Sequence, residues 1–198
     1  MSVLHKKEIL RRIELPVNDP ESIVITPLLN KDFDHDAVDL SLGCYFRLPA
    51  LSNAECIKPY GDQTKKTTEH YPELIHKPYG RKDNHLILQP HHSVLASTLE
   101  YIKLPGDLSG QILTKSSWAR VFISIASAPW IHPFYRGCLT LEICNLGNVP
   151  AALPIGKPIA QLVFLTVVGQ EDLTDKIEGK YSGAVMPEAP EFRDKNKI

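Results

Sequence analysis

Glu142 is the residue whose type and setting are best suited to chemistry in this chain. The run 138–144 reads CLTLEIC, and a β-strand would direct its leucines and isoleucine to one face and Glu142 to the other. If that second face lines a cleft, loss of water around the carboxylate would suit it to proton transfer. A solvated glutamate on an outward strand face is the competing interpretation.

A second candidate lies upstream, where residues 115–120 read KSSWAR. A helix beginning there would aim its free N–H groups at an anion, and Arg120 offers a bidentate fork, so a polyphosphate site is one interpretation. The hydroxyls of Ser116 and Ser117 and the charge of Lys115 would add to it. A capped helix whose Lys115 and Arg120 are solvated is the other interpretation.

Two further patterns could contribute to a binding site. Residues 130–137 read WIHPFYRG, and aromatic side chains such as Tyr135 on a bent loop can stack on a flat heterocycle or a sugar. A hydrophobic plug at the end of a barrel fits the same pattern. Gln161 is an amide within the apolar run 159–165, and it must find partners in the backbone or in a ligand.

Composition excludes several classes of protein. Lys plus Arg number 22 against 23 for Asp plus Glu, a net charge of −1, which argues against a bulk nucleic-acid binder or a membrane-surface protein. No apolar run approaches the roughly 18 residues of a membrane span, and residues 1–12 lack a signal-peptide core. Four cysteines without a CxxC pair predict free thiols, a cytoplasmic location and no zinc site of the nucleobase-deaminase type.

The elements that must position these residues are mostly strands. A short helix capped by Ser2 is predicted to run to about Glu14, and short apolar or alternating runs separated by Pro and Gly turns follow. Few helices and closely spaced strands predict an antiparallel sandwich or barrel. Residues 51–85 predict a surface insertion, and the polar chain from about 170 predicts a C-terminal arm. The last strand, 159–168, is apolar on both faces, which predicts that both are covered, one of them by a neighbouring subunit.

The order of these motifs resembles that of a known family. The chain resembles the dCTP deaminase branch of the dUTPase-like superfamily in four ordered motifs, at 115–120, 131–137, 139–145 and 156–162. Two earlier segments, KEILRRI at 7–13 and VDLSLG at 38–43, are also similar to that family. The resemblance implies one domain over 1–198, mainly β: a distorted antiparallel β-barrel of the dUTPase-like β-clip type with a short N-terminal helix. It also implies a homotrimer with active sites between subunits and an arm that closes over the nucleotide.

The resemblance further implies the reaction, which is zinc-independent hydrolytic deamination of dCTP to dUTP and ammonia. Glu142 would be the general base, Ser116 would position the water and Arg120 would orient the site. Mg²⁺ would ride on the substrate triphosphate rather than in a protein cage. The remaining residues that the resemblance or the loop pattern assigns to substrate binding are Lys115, Ser117, His132, Tyr135, Thr140, Leu141, Gln161 and Lys180.

The chain departs from the family pattern at several positions, which include Lys115 in place of an arginine and a missing tyrosine before Lys180. His132 stands where the family usually carries an aspartate near the sugar, Phe134 replaces a glycine, and Ala184 replaces a glutamine in the arm. Two alternatives therefore accompany the deaminase hypothesis. One is a dUTP pyrophosphatase, or a bifunctional enzyme that gives dUMP. The other is a catalytically inactive trimer that binds a nucleotide or a protein.

Overall fold

The computed structural model describes residues 2–29, 33, 36–49, 73–77, 84–125, 127–169 and 181–191. Within them lie two helices, α1 at Lys6–Ile13 and α2 at Ser116–Arg120. The strands are β1 Val24–Thr26, β2 Ala37–Leu48, β3 Glu73–His76, β4 His85–Leu88, β5 Ser93–Lys103, β6 Leu108–Thr114, β7 Ile123–Ser124, β8 Trp130–Ile131, β9 Arg136–Asn145, β10 Ala151–Pro154 and β11 Pro158–Thr166.

Nine of these strands form one sheet, in which every strand pair is antiparallel. Its main path is β7-β9-β5-β2-β11-β6-β8, with β1 added to β5 and β3 added to β2, while β4 and β10 form a separate pair. The large sheet curls on itself as an open half-barrel, so the prediction of a mainly β, barrel-like antiparallel fold with few helices is confirmed.

The last described strand, β11, occupies the middle of the sheet. It pairs with β2 through Gln161 opposite Asp39, and with β6 through Gln161 opposite Leu113. Its Leu162 and Phe164 are fully buried. These two side chains lie on one face of β11. On the other face Gln161 and Val163 are half-buried between the buried Ile159 and Leu165, so the coverage of one face by a neighbouring subunit stays a prediction.

The N-terminal helix begins later than the sequence predicted, because residues 2–4 are used elsewhere. Val3 forms a β-bridge with Leu165, and the Leu4 N–H donates to the Phe164 carbonyl at 3.0 Å. The helix starts at Lys6, with His5 as its N-cap. The prediction that Ser2 caps the helix is wrong, since a residue that pairs with the sheet cannot also cap a helix four positions later.

The predicted surface insertion at 51–85 includes a strand. β3 pairs with the end of β2, and the Tyr45 and His76 rings stack with their centroids 4.7 Å apart. Most of the other residues of the insertion lie outside the described part of the chain, as do residues 170–180 of the predicted arm.

Candidate active site

The alternation of β9 places Glu142 as its sequence predicted. Leu139, Leu141 and Ile143 are buried in the core, while Thr140 and Glu142 are half-buried on the opposite face. The Glu142 Oε2 atom accepts hydrogen bonds from the main-chain N–H groups of Ser127, at 3.1 Å, and Ala128, at 3.2 Å. The two amides hold one carboxylate oxygen in place. The other, Oε1, has no hydrogen-bond partner among the residues that the structure describes and stays available to a ligand or a water.

The loop after β8 forms one wall beside Glu142. Phe134 has a φ of 62°, in the left-handed region, and its ring lies over Gly106, where an added Cβ would be 2.3 Å from the ring. Gly106 therefore leaves the space that the Phe134 ring fills. Next to it, the Tyr135 hydroxyl donates to the Cys138 carbonyl at 2.8 Å, and burial raises the pKa of this hydroxyl.

The C-terminal segment, residues 181–191, forms the opposite wall. The Cys138 N–H donates to the Ala184 carbonyl at 2.7 Å, and the Gly183 N–H donates to the Arg136 carbonyl at 2.6 Å. These bonds occupy the part of the β9 edge that β7 leaves open, because β7 pairs only with Cys144 and Asn145. The segment thus lies beside the strand that carries Glu142.

Together these parts enclose a cavity of about 810 Å³. This volume falls within the range of small-molecule sites, roughly 300–1,000 Å³. Its wall is mainly apolar, from Leu95, Ile112, Ala128, Trp130, Ile131, Pro133, Phe134, Leu139 and Pro190. The polar side chains that reach it are His132, Tyr135, Thr140, Glu142, Tyr181, Ser182 and Glu188. An apolar wall with a few polar groups suits a flat, partly polar ligand such as a nucleoside.

A separate polar cluster at Asp39 joins β2, β11 and the residue that follows β6. The Lys115 Nζ donates to Asp39 Oδ1 at 2.5 Å, and the Gln161 Nε2 donates to the same oxygen at 3.2 Å. Sequence reasoning missed Asp39 as a partner of these residues. The signal was present, because Asp39 is the lone charge in an apolar alternating run, as Glu142 is in its own strand.

Helix α2 presents its polar side chains outward. Ser116, Ser117 and Arg120 are exposed, and neither they nor Lys115 line the Glu142 cavity. Within one chain, the structure therefore groups His132, Tyr135, Thr140 and Glu142, and groups Lys115 with Gln161. The Leu141 side chain is in the core, which leaves only its backbone for a ligand. Lys180 lies outside the described residues.

Neither a metal centre nor a membrane-spanning helix is found in the part of the chain that the structure describes. No group of three or more His, Cys, Asp or Glu side chains there could hold a metal ion. In the same part of the chain, no helix has the length and apolar character needed to cross a membrane.

Comparison with known proteins defines the class. The fold is similar to the solved 2'-deoxycytidine 5'-triphosphate deaminase of Agrobacterium tumefaciens, with a TM-score of 0.58 and 20% identity over 82% of this chain and 48% of that one, so this chain spans about half of its length. The dCTP deaminase-like family matches residues 3–167. This chain belongs to that family.

Curated relatives agree with this assignment. A protein named dCTP deaminase, dUMP-forming, from Nanoarchaeum equitans is 37% identical over 171 residues, covering 82% of this chain and 86% of its own. One of the same name from Methanosphaera stadtmanae is 32% identical, covering 98% and 95%. A protein named dCTP deaminase from Haloarcula marismortui is 32% identical, covering 96% and 95%.

Proposed function

We propose that this chain is a hydrolase that deaminates dCTP to dUTP and ammonia, acting on the C–N bond of a cyclic amidine. The observation that carries the proposal is a single carboxylate, Glu142, held by two main-chain amides in a largely apolar cavity. The membership of the chain in the dCTP deaminase-like family supports the choice of substrate.

The proposed mechanism uses Glu142 as a general base without zinc. Its free oxygen takes a proton from a water, whose oxygen attacks C4 of the cytosine ring, and the proton passes to N3. Glu142 then moves the proton of the new C4 hydroxyl to the exocyclic nitrogen, the C4–N bond breaks as the C4–O double bond forms, and ammonia leaves. The backbone at Thr140 and Leu141 reads the edge of the base, and the aromatic loop around Tyr135 packs against the nucleoside.

The phosphate side of the site comes from a neighbouring subunit of a homotrimer. Support for this comes from α2, whose Ser116, Ser117 and Arg120 are exposed and do not reach the Glu142 cavity of their own chain. In the trimer, Ser116 positions the attacking water and Arg120 orients the site, while Lys115 and Ser117 hold phosphates.

Gln161 and Lys180 contact the nucleotide, and His132 contacts its sugar. Mg²⁺ arrives on the triphosphate, which fits a donor set in which Lys115 and Arg120, rather than a carboxylate cage, face the phosphates. Such an enzyme works on free nucleotides, in the cytoplasm, with neither a nucleic acid nor a membrane as partner.

A second candidate is a bifunctional enzyme that carries dCTP through to dUMP and pyrophosphate. The relatives from Nanoarchaeum equitans and Methanosphaera stadtmanae, which are similar over most of this chain, are named dUMP-forming. Incubation of the protein with dCTP and with dUTP, followed by separation of dUTP, dUMP and pyrophosphate, distinguishes the two candidates. Binding of dCTP without release of ammonia would instead support a catalytically inactive relative.

Glu142→Gln is the variant that tests the mechanism. We expect ammonia release from dCTP to fall at least ~100-fold, since general base catalysis contributes roughly 10²–10⁴. Binding of dCTP, measured by calorimetry, should change little because the amide oxygen still accepts from the loop N–H groups. The matched control is Glu191→Gln, the same change in an exposed glutamate outside the cavity. Turnover by Glu142→Gln at the wild-type rate would exclude the proposed role.

A further inference from the structure

A second carboxylate reaches the cavity, and the proposed chemistry does not use it. Glu188 lines the cavity from the C-terminal segment. Its main-chain N–H donates to Thr140 Oγ1 at 3.2 Å, and the carbonyl of the preceding Pro187 accepts from Arg47 Nε at 2.8 Å. The main chain is therefore held by contacts to β9 and β2 at position 188, and the side chain starts from a defined point at the cavity wall.

The carboxylate of Glu188 is one of three polar cavity groups, with the His132 ring and the Ser182 hydroxyl, that have no hydrogen-bond partner in the described part of the chain, and it is the one carboxylate among the three. The Tyr135 hydroxyl is bonded to the Cys138 carbonyl, the Thr140 hydroxyl accepts from the Glu188 N–H, and one oxygen of Glu142 accepts from two amides. No hydrogen bond or ion pair joins the Glu188 carboxylate to another part of the chain that the structure describes. An uncommitted acceptor at an apolar cavity fits a ligand that brings a donor.

The position of Glu188 relative to Glu142 indicates which part of a bound nucleoside would donate a hydrogen bond to Glu188. Thr140 precedes Glu142 by two residues on the same face of β9, which places them roughly 7 Å apart. The Glu188 main chain is bonded to Thr140, and Glu188 lines the same cavity as Tyr135. The pKa of the Tyr135 hydroxyl is raised chiefly by burial, and the charge of Glu188 is among the groups that add to the rise. A nucleoside whose base reaches Glu142 would therefore have its sugar near Glu188.

We propose that Glu188 is a substrate-recognition residue that accepts a hydrogen bond from the 3′-hydroxyl of the deoxyribose. This inference rests on the proposed function, because it takes the ligand to be dCTP. A 2′-deoxynucleoside triphosphate has one free sugar hydroxyl, at C3′, so a carboxylate at the sugar end has a single neutral O–H to bind. The two carboxylates at the cavity also repel the triphosphate, so the triphosphate of the bound nucleotide must point away from them, towards cations elsewhere.

The test compares dCTP with 2′,3′-dideoxy-CTP, which lacks only the 3′-hydroxyl. For the wild type we expect kcat/KM to favour dCTP by roughly 10- to 100-fold, the range for one hydrogen bond to a charged group. In Glu188→Ala this preference should fall to within about threefold, because kcat/KM for dCTP drops while that for the dideoxy analogue does not. Glu188→Gln, which keeps an amide oxygen but no charge, should give an intermediate preference.

Glu191→Gln is the matched control, three residues further along the same segment and outside the cavity, and it should keep the wild-type preference. An equal loss for both nucleotides in Glu188→Ala would overturn the inference, because it would show that the residue only supports the fold of the segment. An unchanged preference would overturn it as well. If the wild type releases ammonia from neither nucleotide, the proposed function fails, and the assignment of Glu188 to a sugar hydroxyl fails with it.

Discussion

Glu100 is a carboxylate in the interior of the sheet. Its side chain is 2% exposed, and both of its oxygens accept from the same donor, the Ser41 N–H, at 3.1 and 2.9 Å. Burial raises the pKa of Glu100 above its ordinary value of 4.5, and the charge of Asp39 adds to the rise, while the Ser41 hydrogen bonds oppose it. Removal of water from this carboxylate thus outweighs the hydrogen bonds that it gains.

A raised pKa in the folded protein makes stability depend on pH in a defined direction. The stabilising contribution of protonated Glu100 is fully present below about pH 4.5, its unfolded pKa, and is lost as the pH rises through the folded value. We expect Glu100→Gln to lack this loss, so that the free energy of unfolding of the wild type falls relative to the variant as the pH rises above about 4.5. Urea unfolding across that range measures it.

The control for Glu100→Gln is Glu191→Gln, an exposed glutamate that should follow the wild-type curve. A difference between wild type and Glu100→Gln that is constant with pH would contradict the assignment, because it would mean that the charge state of Glu100 does not change on unfolding.

At the scale of elements, docking of residues 181–191 on β9 depends on Gly137. This glycine has a φ of +140°, and an added Cβ would lie 2.8 Å from the Ala184 carbonyl oxygen. Gly169 has a φ of +88° with nothing within 4 Å of an added Cβ. An alanine at either position would strain the backbone, but only an alanine at position 137 would also collide with the docked segment. Comparison of the two variants therefore isolates the effect of the collision.

We expect Gly137→Ala to release the segment, because the Ala184 carbonyl must move and its hydrogen bond with the Cys138 N–H breaks. Proteolytic cleavage within 181–191 should become at least roughly tenfold faster, since two main-chain bonds of about 1 kcal/mol each are lost. Gly169→Ala should lower stability by about 1–2 kcal/mol through strain alone. Equal cleavage rates in the two variants would show that the collision at Gly137 does not matter.

The sequence predicted the elements whose own residues show an alternating or apolar pattern, and it missed those that are defined by pairing with distant residues. β9, Arg136–Asn145, contains the predicted run 138–144 and extends two residues before it and one after it. β3 was missed because ELIH at 73–76 has only two apolar residues and is defined by its pairing with β2. The Ser2 cap failed for a similar reason, since Val3 pairs with Leu165, 162 positions away.

The residues of the candidate site likewise include some that the local sequence predicts and others that only the folded chain brings to the cavity. A lone charge on an apolar strand identified Glu142, and the equivalent signal at Asp39 was overlooked. Nothing local predicts Glu188 in the cavity, because the sequence PEAPE at 187–191 carries no strand pattern and its position depends on the open edge of β9. The family resemblance supplied the roles, but not which side chains one chain brings together.

At the scale of the whole molecule, α1 is fixed to the sheet by an ion pair between distant parts of the chain. The Arg12 guanidinium donates to both oxygens of Asp107, at 2.9 and 2.6 Å, and its side chain is only 9% exposed. Arg12 also donates to Glu8 at 2.9 Å. Hydrogen bonds from Arg11 and then Arg12 lower the pKa of Glu8 to about 2, so its contribution to stability is lost only as the pH falls from 4.5 towards that value.

We expect Asp107→Asn to lower the free energy of unfolding by about 2 kcal/mol, because it leaves a buried guanidinium without its main counter-charge. This figure is below that for fully buried pairs, since Asp107 is 25% exposed. The matched control is Glu21→Gln, which removes the exposed pair between Arg11 and Glu21 and should cost less than about 0.5 kcal/mol. Urea unfolding measures both. Equal costs would mean that burial does not strengthen the Arg12 pair.

The central place of β11 has a consequence for synthesis of the protein on the ribosome. β11 lies between β2 and β6. Until Thr166 has emerged from the ribosome, the edges of β2 and β6 that pair with β11 are therefore exposed to other chains. Productive closure must then come late, in a step that joins regions far apart in sequence. We expect chains stalled before residue 158 to need a chaperone to remain dispersed, whereas chains released beyond Thr166 fold without one.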